Sequence, residues 1–459
     1  MRKIIKLLVL SIFTLGSIQA QDSLVIKAIY DDALTSTVAY EQLRYLCSST
    51  KGRIAGSAAA AEAIEYTRQE LILAGADTVY LQPVMVPNWK RGTRETARLH
   101  SGILGDLDLS VAALGLSIGT PPEGITARVI EVQNFAELEA LGKKKISGKI
   151  VFFNRPMDPT LINTFEAYGG AVDQRTRGAA EAGKYGAVAV IERSQTTGID
   201  DFPHTGVMRY ADEVEKIPAV AVSTMDADQL SRWIAKDPEA LLTITTACRL
   251  YPDVLSYNVI AELKGSLYPD RYITVGGHLD AWDIGEGAHD DGAGCVQAMD
   301  LIRIYRKLGL RPQNTIRVVL FMDEEIAQRG GRAYAEAARE KGERHLFALE
   351  SDEGCLVPEG FGFTLPENAD KELLDKFLSL KEIFRPFGLY SFTSGGGGVD
   401  IRQLGKQGAV LSSLQVNPQR YFDYHHSPND TFDQINLREL QLGTAAIASL
   451  IWLVDKIEM

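Results

Sequence analysis

The chain has 459 residues, 45% hydrophobic and 24% charged, enough for two domains with cores of their own. A formal net charge of -12 excludes nucleic-acid partners, whose binding needs a basic face. The four cysteines Cys47, Cys248, Cys295 and Cys355 form no CxxC pair, which excludes a disulfide scaffold and a thiolate metal site.

Residues 1–20 read as an export signal. Arg2, Lys3 and Lys6 open it, an apolar stretch runs from Leu7 to Leu15, and Ala20 precedes the expected cleavage point. The stretch is too short to span a bilayer, and no later segment is read as a membrane helix. An exported protein, periplasmic or secreted and without an integral span after cleavage, is expected.

Ala58–Leu73 predicts a helix, with Ser57 as N-cap and Gly75 just past its end. Residues 97–115 predict short strands. After the break at Gly119–Gly124, strands are expected at 128–132, 149–153, 187–191 and 217–222, with helices around 135–141, 176–185 and 226–234. This stretch has few histidines and no dense acidic cluster, and reads as a non-catalytic inserted α/β domain. From Asn258 strands and helices alternate: a strand at 272–275, a helix at 292–308, a nearly all-apolar strand at 315–322, and strands at 345–349 and 409–415. Alternation of this kind implies a doubly wound, mostly parallel sheet.

Acidic and imidazole groups fall at the ends of these strands. His278 and Asp280 follow the first, and Asp290 and Asp291 close the next loop. Asp323, Glu324 and Glu325 end the second strand, Glu350, Asp352 and Glu353 the third, and His425 and His426 follow the fourth. Alone, Asp290-Asp291-Gly292 would be a turn with a helix cap, and Glu324-Glu325 a solvated pair. Five segments converging on the carboxyl edge of one sheet mark a site. Crowded carboxylates raise one another's pKa, and bound cations relieve this. Oxygen and imidazole ligands suit zinc, and two ions sharing a carboxylate suit hydrolysis. Only one of His425 and His426 should face the cluster, because neighbours in an extended segment point to opposite sides.

The motifs Gly277-His278-Leu279-Asp280, His289-Asp290-Asp291-Gly292, Asp323-Glu324-Glu325, Glu350-Ser351-Asp352-Glu353-Gly354 and His425-His426-Ser427-Pro428 are similar, in order and spacing, to those of the co-catalytic di-zinc peptidases. That family includes secreted aminopeptidases and carboxypeptidase Q. Pro203-His204-Thr205-Gly206, Lys216-Ile217-Pro218 and Val86–Gly92 resemble carboxypeptidase Q specifically. The resemblance implies a phosphorylase/hydrolase-like peptidase domain at 21–117 and 253–459, interrupted by a protease-associated domain at 118–252. It implies two zinc ions, one held by His278 and Asp352, the other by Glu325 and His426, with Asp290 bridging them. Asp280 would orient His278 and Glu324 would be the general base. A cis peptide between Asp290 and Asp291 and a homodimer are also implied. The expected reaction releases the N-terminal residue of dipeptides or short peptides. The alternative is an inactive, receptor-like homologue acting as a binding protein, and the intact ligand positions argue against it.

Overall fold

The computed structural model describes residues 22–367 and 369–459, so the expected export signal lies outside the described residues. The main sheet has eight strands. Its centre is parallel, in the order Asn314–Phe321, Tyr268–His278, Arg344–Glu350, Val410–Val416. The flanks are not. Arg249–Leu263 and then Thr78–Lys90 add antiparallel on one side, and Pro358–Thr364 adds antiparallel on the other. The sheet is therefore mixed: parallel pairings, including Pro358–Thr364 with Ser391–Ser394, keep the majority as expected, and antiparallel strands on both sides interrupt them. Only the central strands carry the continuous apolar run of a sheet covered on both faces. The flanking strands are partly exposed, and antiparallel pairing tolerates this.

Asn314–Phe321 is buried along its whole length because alternate residues feed two cores. Val318 and Leu320 face the helices Ala58–Leu73, Ala293–Leu308 and Leu437–Val454, whereas Val319 and Phe321 pack with Tyr334 of Arg329–Lys341. Ser57 caps Ala58–Leu73 as the sequence predicts, accepting from the Ala60 amide at 3.0 Å. Leu437–Val454 corrects one reading. By length and composition it could cross a membrane, but it is mostly buried in the core beside Ala293–Leu308. The four cysteines are free and buried.

A second eight-stranded sheet runs Gly105–Leu109, Thr96–Ser101, Leu241–Thr245, Ile125–Val132, Ile150–Phe153, Ala189–Arg193, Ala219–Val222, Val111–Ala113. Its strands between 96 and 113 fall before the boundary expected at 118. They belong here because Thr96–Ser101 pairs with Leu241–Thr245, and Val111–Ala113 with Ala219–Val222. The chain enters and leaves this unit along one antiparallel ribbon, Thr78–Lys90 against Arg249–Leu263.

Glu192, at the end of one of its central strands, is fully buried and hydrogen-bonded to Gln195 at 2.7 Å. Burial pushes its carboxyl up to about 8 from an ordinary 4.5. The folded protein thus keeps a proton that the unfolded chain gives up near 4.5. The stability this confers is complete below that pH and is lost as pH climbs to about 8. Glu192→Gln should therefore match the wild type in thermal unfolding near pH 4.5 and exceed it near pH 8. A variant weaker than the wild type at pH 8 would show instead that Glu192 serves there as the anionic partner of Arg175.

Candidate metal centre

The parallel strands end on one edge and hand over the polar residues together. His278 closes its strand, Glu324 and Glu325 follow Asn314–Phe321, and Asp352 lies two residues past Arg344–Glu350. Asp290 sits in the wide turn Ala288–Gly292 that enters Ala293–Leu308, with a cis peptide joining Asp290 to Asp291. His425 and His426 follow the tight turn Pro418–Asp423.

Asp290 is the centre of the arrangement. Its Oδ1 is 3.1 Å from His278 Nε2 and its Oδ2 is 3.3 Å from His426 Nε2. Asp352 Oδ1 lies 3.4 Å from the same nitrogen of His278, and Glu325 Oε2 lies 3.1 Å from that of His426. The ligand atoms of His278, Asp290 and Asp352 all fall within 4.8 Å of one another, and so do those of Asp290, His425 and His426. Glu325 Oε1 and Asp352 Oδ1 are buried without a hydrogen-bond partner. A crevice of about 10 Å³ between Asp290, Glu325, His426 and Trp282 has room for one ion- or water-sized occupant. Imidazole and carboxylate donors with orphaned oxygens and no thiolate fit divalent ions of the zinc type.

The charges call for such an occupant. Burial, then the neighbouring acids, push Glu324 and Glu325 well above the usual carboxylate range. Asp291 is pushed up in the same way. Asp290 is held low because contact with His278 outweighs burial. His278 is raised well above its ordinary value, since Asp352 and Asp290 outweigh the cost of burying its charge. His426 goes the other way, lowered by burial, by His425 and by Arg175.

Backbone contacts hold the loops. The Asp430 carboxylate accepts the amides of His289 at 2.7 Å and Asp290 at 3.2 Å. Asp291 accepts the amide of His278 at 2.9 Å and that of Gly294 at 3.0 Å. Buried Arg53 donates to the carbonyls of Leu279, Glu286 and Gly287 at 2.6–2.7 Å. A β-carbon at Gly287, where φ is +63°, would fall 2.7 Å from that guanidinium. Arg91, from the Val86–Gly92 motif, ion-pairs with Asp283 of the same loop at 2.6 Å.

Two expectations change, and the site gains contacts from the second unit. The Asp280 carboxylate does not hold His278. Its Oδ1 accepts the Asp323 and Glu324 amides at 2.7 and 3.2 Å and stays 4.0 Å from His278 Nδ1, which meets the Asp280 backbone carbonyl at 2.9 Å instead. His425 and His426 do not diverge. His426 has φ +60°, so the segment is a turn, and the two rings stack with centroids 3.5 Å apart. His425 keeps an unpartnered Nδ1, although the expectation that only one of the pair faces the cluster had set it aside by assuming an extended backbone there. The second unit is not remote from the site. The Thr205 amide donates to the His426 carbonyl at 2.8 Å, the Thr205 carbonyl lies 3.3 Å from His426 Nδ1, and His204 Nδ1 meets the His425 carbonyl at 2.6 Å. Only the Pro203–Gly206 motif hinted at this.

Asp430→Asn should weaken divalent-metal binding by about 10–100-fold, because each carboxylate oxygen accepts one of the two amides that fix Asp290 and asparagine turns one of those oxygens into a donor. Competition with a chelator measures it, and unchanged affinity would remove Asp430 from the support of the centre.

Residues 258–451 match the model of peptidase family M28. Carboxypeptidase Q of Homo sapiens is 35% identical over 94% of this chain and 88% of its own, and that of Bos taurus is 34% identical over 91% and 85%. The crystal structure of a peptidase M28 precursor from Shewanella amazonensis SB2B superposes with TM-score 0.90 at 32% identity, covering 96% of this chain and 98% of that one. A zinc aminopeptidase from Bacillus subtilis shares the fold, with TM-score 0.65 at 18% identity over 93% and 97%. The chain belongs to peptidase family M28 and is a peptidase similar to carboxypeptidase Q.

Proposed function

We propose that the protein is an exported di-zinc metallo-exopeptidase that releases the N-terminal residue of dipeptides or short peptides. The observation that carries this is Asp290, which faces His278 with one oxygen and His426 with the other. His278 and Asp352 would hold one zinc and Glu325 and His426 the second, with Asp290 between. The zinc aminopeptidase from Bacillus subtilis supports the metal and an N-terminal point of attack, and membership of peptidase family M28 supports a peptide substrate. The unit containing residues 118–252 would be a protease-associated domain, and the working form a homodimer.

Zinc, when bound, supplies Lewis acidity to the scissile carbonyl and acidifies water. The protein does the rest. Asp290 and the two imidazoles fix the spacing of the centre. The Thr205 carbonyl accepts from His426 Nδ1 and so keeps Nε2 free to coordinate. Glu324 takes the proton of the attacking water and delivers it to the leaving amine nitrogen. Its buried position among acids makes it a ready proton carrier. Asp280 orients Glu324 rather than His278, through the Glu324 amide.

Glu324→Gln should keep two zinc ions per chain and lose about 10²–10⁴-fold in turnover. Glu325→Gln should lose metal. Zinc content measured beside turnover on free and N-acetylated dipeptides tests both the roles and the exopeptidase reading. Metal-free wild type would sink the proposal, as would equal cleavage of acetylated substrates.

A further inference from the structure

Beside the centre lies a pocket of about 440 Å³ that shares Asp352 with it. Phe165 and Leu411 form apolar walls, and the run Gly396–Gly398 forms one side. The glycines are required. A β-carbon at Gly398 would stand 2.1 Å from Glu350 Oε2, and one at Gly396, where φ is +149°, 2.4 Å from the Gly362 backbone. This lets the loop lie flat and leaves the space open.

Two acids that the mechanism does not use face this pocket. Glu350 is 1% exposed, and its Oε2 accepts the amides of Asp400 and Ile401 at 3.0 and 3.2 Å. Its Oε1 is buried without any partner. Glu353 is half-buried on the wall, with no ion pair among the described residues. Arg402, the one basic residue lining the pocket, is exposed, so solvent screens it more than it screens the buried acid. A buried carboxylate with an unmet acceptor strongly favours a cationic donor.

We propose that this pocket takes a substrate side chain flanking the scissile bond, and that Glu353, with Glu350 beside it, selects a positively charged one of the lysine or arginine kind. The proposal rests on the peptidase reading above and adds a substrate class to it. The charged end of the side chain meets Glu353, the buried carboxylate of Glu350 in the same wall adds negative charge behind it, and the methylene stem lies along Phe165 and Leu411. This geometry would favour lysine or arginine over a neutral residue of equal length.

The test compares kcat/KM of the zinc-loaded full-length protein on Lys-Ala, norleucine-Ala and Glu-Ala, and on the reversed dipeptides. Norleucine keeps the stem of lysine and drops the charge. Lysine should exceed norleucine by at least about tenfold at one of the two positions, the scale of one charge-assisted hydrogen bond. Glu353→Gln should bring lysine down to norleucine and leave norleucine unchanged. A wild type that prefers norleucine or glutamate would overturn the proposal and, for glutamate, hand the pocket to Arg402. A Glu353→Gln variant that loses both substrates in parallel would also overturn it, since Glu353 would then serve the scaffold or the α-ammonium. Failure of the peptidase reading looks different, because no dipeptide would be cleaved at all.

Discussion

Asp290 offers one carboxylate oxygen to each of two imidazoles, at 3.1 Å to His278 and 3.3 Å to His426. A side chain this short fixes the gap between two loops that come from strands well separated in sequence. The other groups take their places around that gap, Asp352 beside His278 and Glu325 beside His426. The hydrogen bonds of Asp430, Asp291 and Arg53 serve the same end, since each pins the backbone within a few residues of Asp290 or His278. The cost is a pocket of acids that ordinary protein interiors avoid. Burial and the neighbouring acids drive Glu324 and Glu325 toward their neutral forms, and a bound cation would reverse that tendency.

The fold was legible where sequence period and burial agree. Asn314–Phe321 announced itself by its apolar run, and Ala58–Leu73 by its cap and composition. The strands between 96 and 113 were recognised, but their membership was not. Pairing Thr96–Ser101 with Leu241–Thr245 links residues far apart in sequence, and no local pattern encodes such a partner. The antiparallel flanks of the main sheet escaped for the same reason, because strand direction is decided by connections rather than by composition.

At the site, residue type and position at strand ends gathered the acids and histidines, and the resemblance to the di-zinc peptidases picked out His278, Asp290, Glu325, Asp352 and His426, which lie together in the structure. What failed was inference about orientation. Asp280 was assigned to His278 through the family resemblance, yet its carboxylate turns to the Asp323 and Glu324 amides. The histidine pair was assigned opposite faces by the rule for extended chains, yet a left-handed residue at 426 stacks the rings. Both errors come from loops, where side-chain direction follows from turn geometry that short motifs do not determine.

The paired hydrogen bonds between Thr205 and His426 make the second sheet a party to whatever His426 holds. Thermodynamic linkage runs both ways. If docking of that unit steadies the imidazole and tightens its grip on an ion, the ion must tighten docking by the same factor. Two halves of one chain, already packed together where Phe165 meets Tyr421 and Arg209 meets the Ile326 carbonyl, would then be held more tightly by an occupant that touches only one of them. Scarcity of the ion would weaken the contact between the halves by that same factor.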